Sequence, residues 1–404
     1  MEMIRGTGVP PVKSHGQDAH ATSLFDLGII GGGPAGTAAA LEARRHGLHV
    51  ALWERDRFPR DKVCGEFLSP ESIPILQEEI PLAIARAAVI RRSEFIATNG
   101  HVLSFEFPSP GRGLSRRVLD AALWKAAGAA GAVTRECDAV RRVGGLEAAA
   151  NQSAEWEIES ETGSIARARV LVLACGRWWA VDGIPSPARE KRDEAAGPWM
   201  GAKAHFSGVA PRDAVEMYYF RGGYCGLAPV EDGMYNACFL VHRSVVRHGH
   251  ARTIDDFARW LGDVARHPVL QARLRGATQV TSTVSTAPIR PARRRAAHER
   301  TLIAGDAAGF LDPFTGDGIS IALHSGRLAA AELAKAWSNA NVDFAPAAAS
   351  YARQMNRAVR RSYLVAGLLR GLVCAPALVQ SSAAAALRWF GTRLLAETRW
   401  RESV

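Results

Sequence analysis

Cysteine is scarce: Cys64, Cys137, Cys175, Cys225, Cys238 and Cys374 are spread over 404 residues without a C-x-x-C pair. That scatter argues against a disulfide framework or a zinc knuckle and suits a reducing cytosol. No apolar run reaches the roughly 18 residues of a spanning helix. The longest uncharged stretch near the C-terminus, 371–387, is interrupted by Pro376, Gln380, Ser381 and Ser382. Residues 1–23 lack the apolar centre of a signal peptide and any periodicity, so they read as a disordered tail. There is no internal repeat. Acidic residues are outnumbered, 40 against 50 basic ones, and the net charge of +10 favours anionic partners. The basic run 290–300 has no interleaved aromatic residue to stack a base and fits no nucleic-acid module, so it reads as a solvated connection and nucleic acid is not an expected partner. With 48% hydrophobic and 22% charged residues, fibrous and disordered classes are excluded, and the length allows two or three domains.

What is present is organised from Leu24 onward. A buried strand, a glycine turn, an Ala-rich helix ending near Gly47 and a second strand, 49–53, closing on Glu54 form a βαβ unit. The turn Gly31-Gly32-Gly33-Pro34-Ala35-Gly36 contains G-x-G-x-x-G, and Glu54 follows at about the 20-residue spacing of a dinucleotide site. Gly31 permits the tight turn, Gly33 lets a pyrophosphate approach the backbone, and Gly36 lets the helix pack on the strand. The helix N-terminus supplies amide donors to phosphates, and Glu54 accepts from ribose hydroxyls. The pattern does not separate NAD from FAD. Residues 198–290 change character to short alternating runs that read as an antiparallel sheet. A buried strand returns at 300–304, followed by a glycine loop and helix, and the chain beyond about 345 reads as helix.

The downstream segment Gly305-Asp306, ending a buried strand, resembles the ribityl-binding motif of FAD-dependent oxidoreductases of the para-hydroxybenzoate hydroxylase type. Together with the first fingerprint it makes FAD the expected cofactor. The loop from Pro313 through Thr315, Gly316 and Asp317 to Gly318 and Ile319 is then expected to run along the flavin, offering backbone amides where negative charge develops. The pattern F-P-R-x-K-x-C-G-E-x-L-S-P over 58–70, with Arg55 before it and Lys62, Cys64 and Gly65 within it, resembles the geranylgeranyl reductase and flavin-dependent halogenase branch of that superfamily. Arg116-x-x-Leu119-Asp120, opening a helix, is similar to the same branch, in which the Arg116 position lies against FAD.

Two departures bear on chemistry. Cys175 stands where aromatic hydroxylases carry the aspartate of their second fingerprint. The Tyr-x-Trp-x-Phe-Pro signature of geranylgeranyl reductases falls on 224–229, keeping Tyr224 and Pro229 and losing both large aromatics to Gly226 and Ala228. No W-x-W-x-I-P of halogenases exists; Trp178 and Trp179 are adjacent. His248 and His250 have no third ligand, so no metal is expected. Cys64 beside Lys62 is either a reactive thiol or, more commonly for such a residue, an inert buried one.

The expected architecture is therefore a Rossmann-like α/β FAD domain (24–87, 112–197 and 291–340), an inserted antiparallel β-sheet substrate domain (88–111 and 198–290), and C-terminal helices (341–404). The expected activity is redox chemistry on an apolar or aromatic small molecule. Double-bond reduction at flavin N5 is slightly favoured, with monooxygenation or halogenation as the alternative and a non-catalytic lipid-binding scaffold as the rival of another class. No second glycine fingerprint offers a stable nicotinamide site, so NAD(P)H binds transiently or an electron-donor protein supplies reductant. Tyr224 and His205 are the catalytic candidates. The arginine-rich C-terminal helices either cap the domain or lie on an anionic membrane surface, giving a cytoplasmic protein with peripheral contact at the inner membrane surface as one option.

Overall fold

Strand β1, Leu24–Ile30, is apolar on both faces, and Leu27 and Ile29 have no exposed surface. Such a run needs cover on both sides, the situation of a central parallel strand. It pairs in parallel with β2, Val50–Glu54, on one edge and with the strand Ile165–Leu173 on the other. The helix between them, α1, Pro34–Arg45, opens with proline at its first turn and closes on Arg44 and Arg45, the residues that suit the two ends of a helix.

The computed structural model describes residues 23–146, 155–177, 181–184, 199–246, 257–289, 292–310, 316–338 and 341–373. Most of the N-terminal tail, Trp178, Trp179, His248, His250, Pro313, Thr315, Cys374 and the arginine-rich segment beyond 373 lie outside these residues.

The first sheet runs in the order Ala297–His298, Thr301–Ile303, Ile165–Leu173, β1, β2 and Val133–Glu136. The antiparallel pair Val140–Leu146 and Glu155–Ser160 joins it along the N-terminal half of Ile165–Leu173. Helix Gly318–Lys335 packs on α1 at van der Waals distance: a Cβ added at Gly326 would stand 2.1 Å from the Ala35 carbonyl oxygen. Outside it lies Phe344–Val373, whose buried Tyr351 donates its hydroxyl to the Ile303 carbonyl at 2.8 Å.

Among the described residues the second sheet has nine strands, with Trp199–Ser207, Tyr235–His242, Gly223–Pro229 and Ala214–Phe220 as its centre. One face packs on the short helices Phe257–Ala265 and Pro268–Arg273 through Phe206, Phe239 and Phe257. The other turns toward the first sheet. The expected antiparallel pattern holds except at one place, where Ala214–Phe220 runs parallel to Ala88–Ile96. These strands are separated by a long excursion through the first sheet, so no tight hairpin fixes their relative direction. Phe67–Leu68 pairs with Val102–Gly113 and ties the loop after β2 to this sheet. Between them in the chain, Ile73–Glu79 and Pro81–Arg86 are helices, each with a proline in its first turn. Among the described residues no helix is long and apolar enough to cross a membrane.

Candidate functional site

A cavity of about 1110 Å³ lies between the two sheets. Its floor is the glycine turn, and each glycine has a separate reason. Gly31 adopts φ +110°, and a Cβ there would stand 2.4 Å from the Ala174 carbonyl oxygen. A Cβ at Gly36 would fall 1.8 Å from the Gly31 carbonyl oxygen, inside the turn itself. At Gly33 a Cβ would approach within 4 Å, among the described residues outside its own turn, only Arg116 Nη2, at 3.9 Å. Gly33 thus faces open cavity where the amides of α1 emerge, a cradle that a side chain would fill and an anionic pyrophosphate fits. Pro34 and Ala35 line the same floor.

Glu54 ends β2 and borders the cavity, as expected. Its Oε2 accepts from the Gly32 N–H at 2.8 Å, and its Oε1 from Arg60 Nη1 at 2.9 Å and the Asp56 N–H at 3.0 Å. The carboxylate therefore braces the turn in addition to any contact with a ribose. Arg55 reaches Asp56 at 3.5 Å and Lys62 reaches it at 2.6 Å. Burial opposes ionisation of Asp56, but its Lys62 and Arg60 partners prevail and hold its pKa at about 2.

Arg116 is fixed by a forked pair: Nε donates to Asp120 Oδ1 at 2.6 Å and Nη2 to Oδ2 at 2.7 Å, with Asp120 fully buried. Burial disfavours its charge, yet Asp120 raises its pKa. Gly305, at φ +59°, donates its N–H to Ser325 Oγ at 2.9 Å and turns the chain so that Asp306 borders the cavity. Among the described residues no donor hydrogen-bonds the Asp306 carboxylate. Burial raises its pKa against the opposing charges of Arg177, Arg116 and Arg294, so it is an acceptor awaiting a donor. Gly316, Gly318 and Ile319 also line the cavity, whereas Asp317 is buried behind it at the start of helix Gly318–Lys335. Within the described part of the connection, 292–300, Arg294 is not simply solvated: its Nη1 donates to the Asp306 carbonyl at 3.2 Å.

The loop carrying Lys62, Cys64 and Gly65 borders the cavity and is anchored by a residue the sequence reading passed over. Glu66 has no exposed surface and holds φ +58°, uncommon for a residue with a side chain. Its Oε1 accepts from the Arg116 N–H at 2.9 Å and from Lys203 Nζ; its Oε2 accepts from His205 Nε2 at 2.6 Å. Lys203 Nζ lies 3.2 Å from Asp61, which pairs with Arg117 at 2.9 Å. Burial would raise the Glu66 pKa, but His205 and Lys203 hold it low; burial would lower that of Lys203, but Glu66 keeps it raised. His205 therefore does not face the cavity as expected. It lies beneath the loop and serves Glu66.

Tyr224 does face the cavity, on the wall formed by the second sheet with Cys238, Leu240 and Ile289, and Phe310 of the separate pair Ala292–Arg293 and Gly309–Phe310 packs beside it. Arg177 completes this end, 4.5 Å over the Phe310 ring and donating to Thr286 Oγ1 at 3.0 Å. Cys175 borders the cavity too. Burial lifts its thiol to about 12, as it does that of Cys238, and raises that of Cys64, a direction that favours the thiol over the reactive thiolate. No cluster of three metal-ligating side chains occurs among the described residues. Lys203 and His205 had a signal in the sequence: two polar residues at i, i+2 in an otherwise apolar strand share one face and need a buried partner.

A family model for an NAD(P)-binding Rossmann-like domain matches residues 29–60. Digeranylgeranylglycerophospholipid reductase 2 of Methanopyrus kandleri is 30% identical over 325 residues, covering 77% of each chain. Menaquinone reductase of Mycobacterium tuberculosis is 27% identical over 347 residues, covering 77% of this chain and 78% of that one. Conditioned medium factor receptor 1 of Dictyostelium discoideum is 29% identical over 349 residues, covering 78% of this chain, which spans 64% of that protein's length. Among solved structures, the flavin-dependent brominase Bmp2 superposes with TM-score 0.73 at 22% identity, covering 94% of this chain and 95% of the other, a likeness of fold. The turn, the acceptor at Asp306 and these relatives agree: the chain belongs to the FAD-dependent oxidoreductases of the geranylgeranyl reductase and flavin-dependent halogenase superfamily, with the para-hydroxybenzoate hydroxylase fold.

Proposed function

We propose that this protein reduces a carbon–carbon double bond of an apolar small molecule. The observation that carries the reading is the cavity's end wall, where Tyr224, Cys238, Leu240, Ile289 and Phe310 present apolar surface with a phenol among them. The names of the two reductase relatives, which concern a prenylated lipid and a quinone, point the same way.

The chain's residues divide the work. The α1 amides and the open space at Gly33 would hold the FAD pyrophosphate with Arg116 beside them, and Glu54 and Asp306 would accept from ribose and ribityl hydroxyls. When bound there, FAD supplies two-electron hydride chemistry at its N5. The apolar wall excludes water and orients the double bond, and the Tyr224 hydroxyl is the group assigned to give the accompanying proton. Reductant comes from NAD(P)H bound transiently or from an electron-donor protein. An apolar substrate partitions into lipid, so the reading includes a cytoplasmic protein that meets its substrate at the inner membrane surface.

The test is anaerobic. FAD-loaded protein is photoreduced under nitrogen and given a prenylated naphthoquinone, a polyene or a phenol, with flavin absorbance and product mass followed. Reoxidation by substrate alone is expected, with a product heavier by two hydrogens that keeps them after air has returned any hydroquinone to quinone. A flavin that stays reduced until oxygen enters, with a product that gains oxygen or halogen, refutes reduction in favour of monooxygenation or halogenation.

A further inference from the structure

The strand Ile165–Leu173 delivers to the cavity an arginine to which the functional reading gives no part. Just past the strand the Ala174 N–H donates to the Ile30 carbonyl at 2.8 Å, and Gly176, at φ +73°, then turns the chain. Arg177 follows. Its side chain reaches from the first sheet to the edge of the second, where Nη2 donates to Thr286 Oγ1 at 3.0 Å on the strand Val284–Ile289. The guanidinium carbon lies 4.5 Å over the Phe310 ring, and Phe310 packs on the cluster that Tyr224, Leu240 and Ile289 form with Met217. Arg177, Thr286, Phe310 and Tyr224 all line the cavity. A cation thus stands on the same wall as the phenol, held by a ring and a hydroxyl from two different elements.

The surroundings suit an oxygen that carries or gains negative charge. Burial lowers the Arg177 pKa, Asp306 works against that, and Arg294 adds to it. Asp306 in turn feels Arg177, Arg116 and Arg294, and Arg116 is already forked onto Asp120. Ribityl hydroxyls at Asp306 are neutral and leave this balance unchanged, so among the described groups the field at this end of the cavity is positive. A purely hydrocarbon ligand would displace water from the guanidinium and return nothing, whereas an oxygen acceptor forms a charge-assisted hydrogen bond.

We propose that Arg177 is a substrate-binding residue that takes a carbonyl or carboxylate oxygen conjugated to the double bond. The substrate class is then an α,β-unsaturated carbonyl compound and not an isolated alkene. The proposal deepens the functional reading above and rests on it for the fate of the double bond. The step balances. Hydride from the reduced flavin enters the carbon β to the carbonyl, the π pair moves onto the oxygen, Arg177 hydrogen-bonds the charge gathered there, and the proton assigned to Tyr224 goes to the α carbon. Two electrons leave the flavin, one C=C is lost and two C–H bonds form. Charge that grows on the oxygen as hydride arrives is what a cation fixed in advance stabilises most.

The experiment measures binding and needs no turnover. FAD-loaded protein is titrated with trans-cinnamate and with trans-β-methylstyrene, which shares the ring and double bond but has no oxygen, and perturbation of the flavin absorbance is read. Cinnamate is expected to bind at least about tenfold more tightly. That preference should vanish in Arg177→Met and be kept only in part by Arg177→Lys, which retains the charge without the fork. The lysine variant carries the test if the methionine variant fails to retain flavin. A guanidinium that merely ties the two sheets together would change Tm and leave the preference intact, and one that serves the flavin would lower the midpoint potential of substrate-free protein on removal and again leave it intact. Either outcome overturns the proposal, as does a ratio near one in the unaltered protein or an unchanged ratio in Arg177→Lys. A preference that depends on Arg177 without anaerobic reduction of cinnamate leaves the binding site standing and defeats the reductase reading; reduction with a ratio near one does the reverse.

Discussion

Substituting Gly33 and Gly36 separately should dissociate flavin binding from folding. At Gly33 the backbone is extended, with φ −77° and ψ −175°, a conformation open to valine, and the nearest atom to an added Cβ is 3.9 Å away. Gly33→Val therefore fits the ligand-free chain. A surface-like change of this kind costs within about 0.5 kcal/mol, or a shift in Tm of no more than about 2 °C. The same side chain occupies the space over the first turn of α1. Two amide hydrogen bonds to an anion, at about 1.5–3 kcal/mol each, would be lost, which raises the Kd for FAD by roughly 10² to 10⁴. Gly36→Ala is the opposite case. Its Cβ would lie 1.8 Å from the Gly31 carbonyl oxygen, so the turn must open at about 1–3 kcal/mol or more and Tm falls by several degrees even without flavin. Thermal melts of flavin-free protein with and without saturating FAD, together with a flavin titration, separate the two. Gly33→Val that binds FAD with a Kd within threefold of the parent, or whose flavin-free Tm drops as far as that of Gly36→Ala, refutes this division of labour.

Lys203→Met should cost about 3–5 kcal/mol in urea unfolding, because it leaves the buried Glu66 carboxylate with only His205 and the Arg116 N–H as partners. Lys203 has a raised pKa, so its contribution is present below the ordinary lysine value near 10.4 and is lost as pH climbs through the higher folded value; the variant should lose this alkaline limb, and an unchanged one contradicts the account. Glu66 has a lowered pKa, so its contribution is present above about 4.3 and is lost as pH falls through the lower folded value. In peptide mapping after brief iodoacetamide treatment at pH 8, exposed Cys137 should be modified while Cys225, which has no exposed surface and whose thiol burial holds protonated, stays largely free. Rapid labelling of Cys225 would contradict that burial.

The floor of the site was legible because its parts are local. Gly31, Gly33, Gly36 and Glu54 sit within one βαβ unit, and Gly305-Asp306 closes a strand of its own, so sequence spacing and spatial role coincide. The Glu66 network was not legible, because its partners lie on a strand of the other sheet, at 203 and 205, and no local period links them. Cys64 was left open between two roles that only burial distinguishes. Helices Ile73–Glu79 and Pro81–Arg86 were hidden by Pro74 and Pro81, which break a helix in its interior but are welcome in the first turn, where these sit. The parallel pairing of Ala88–Ile96 with Ala214–Phe220 depends on how two distant segments return to one sheet, which alternation within either strand does not encode.

The closeness of Gly326 to the Ala35 carbonyl has a consequence for how the protein is made. The first glycine turn leaves the ribosome early, but α1 cannot reach its final seat until the helix Gly318–Lys335 arrives, and Gly305 stands against Ala35 as well, with a Cβ there only 3.0 Å from that of Ala35. The nucleotide floor therefore closes across almost the whole chain, and the nascent N-terminal portion carries a fingerprint that it cannot yet use. Long-range closure of this kind is slow and leaves apolar surface uncovered meanwhile, here the Ala-rich flank of α1. Flavin is thus captured only after the helix Gly318–Lys335 has emerged, and a ribosome-bound chain truncated before it should be colourless.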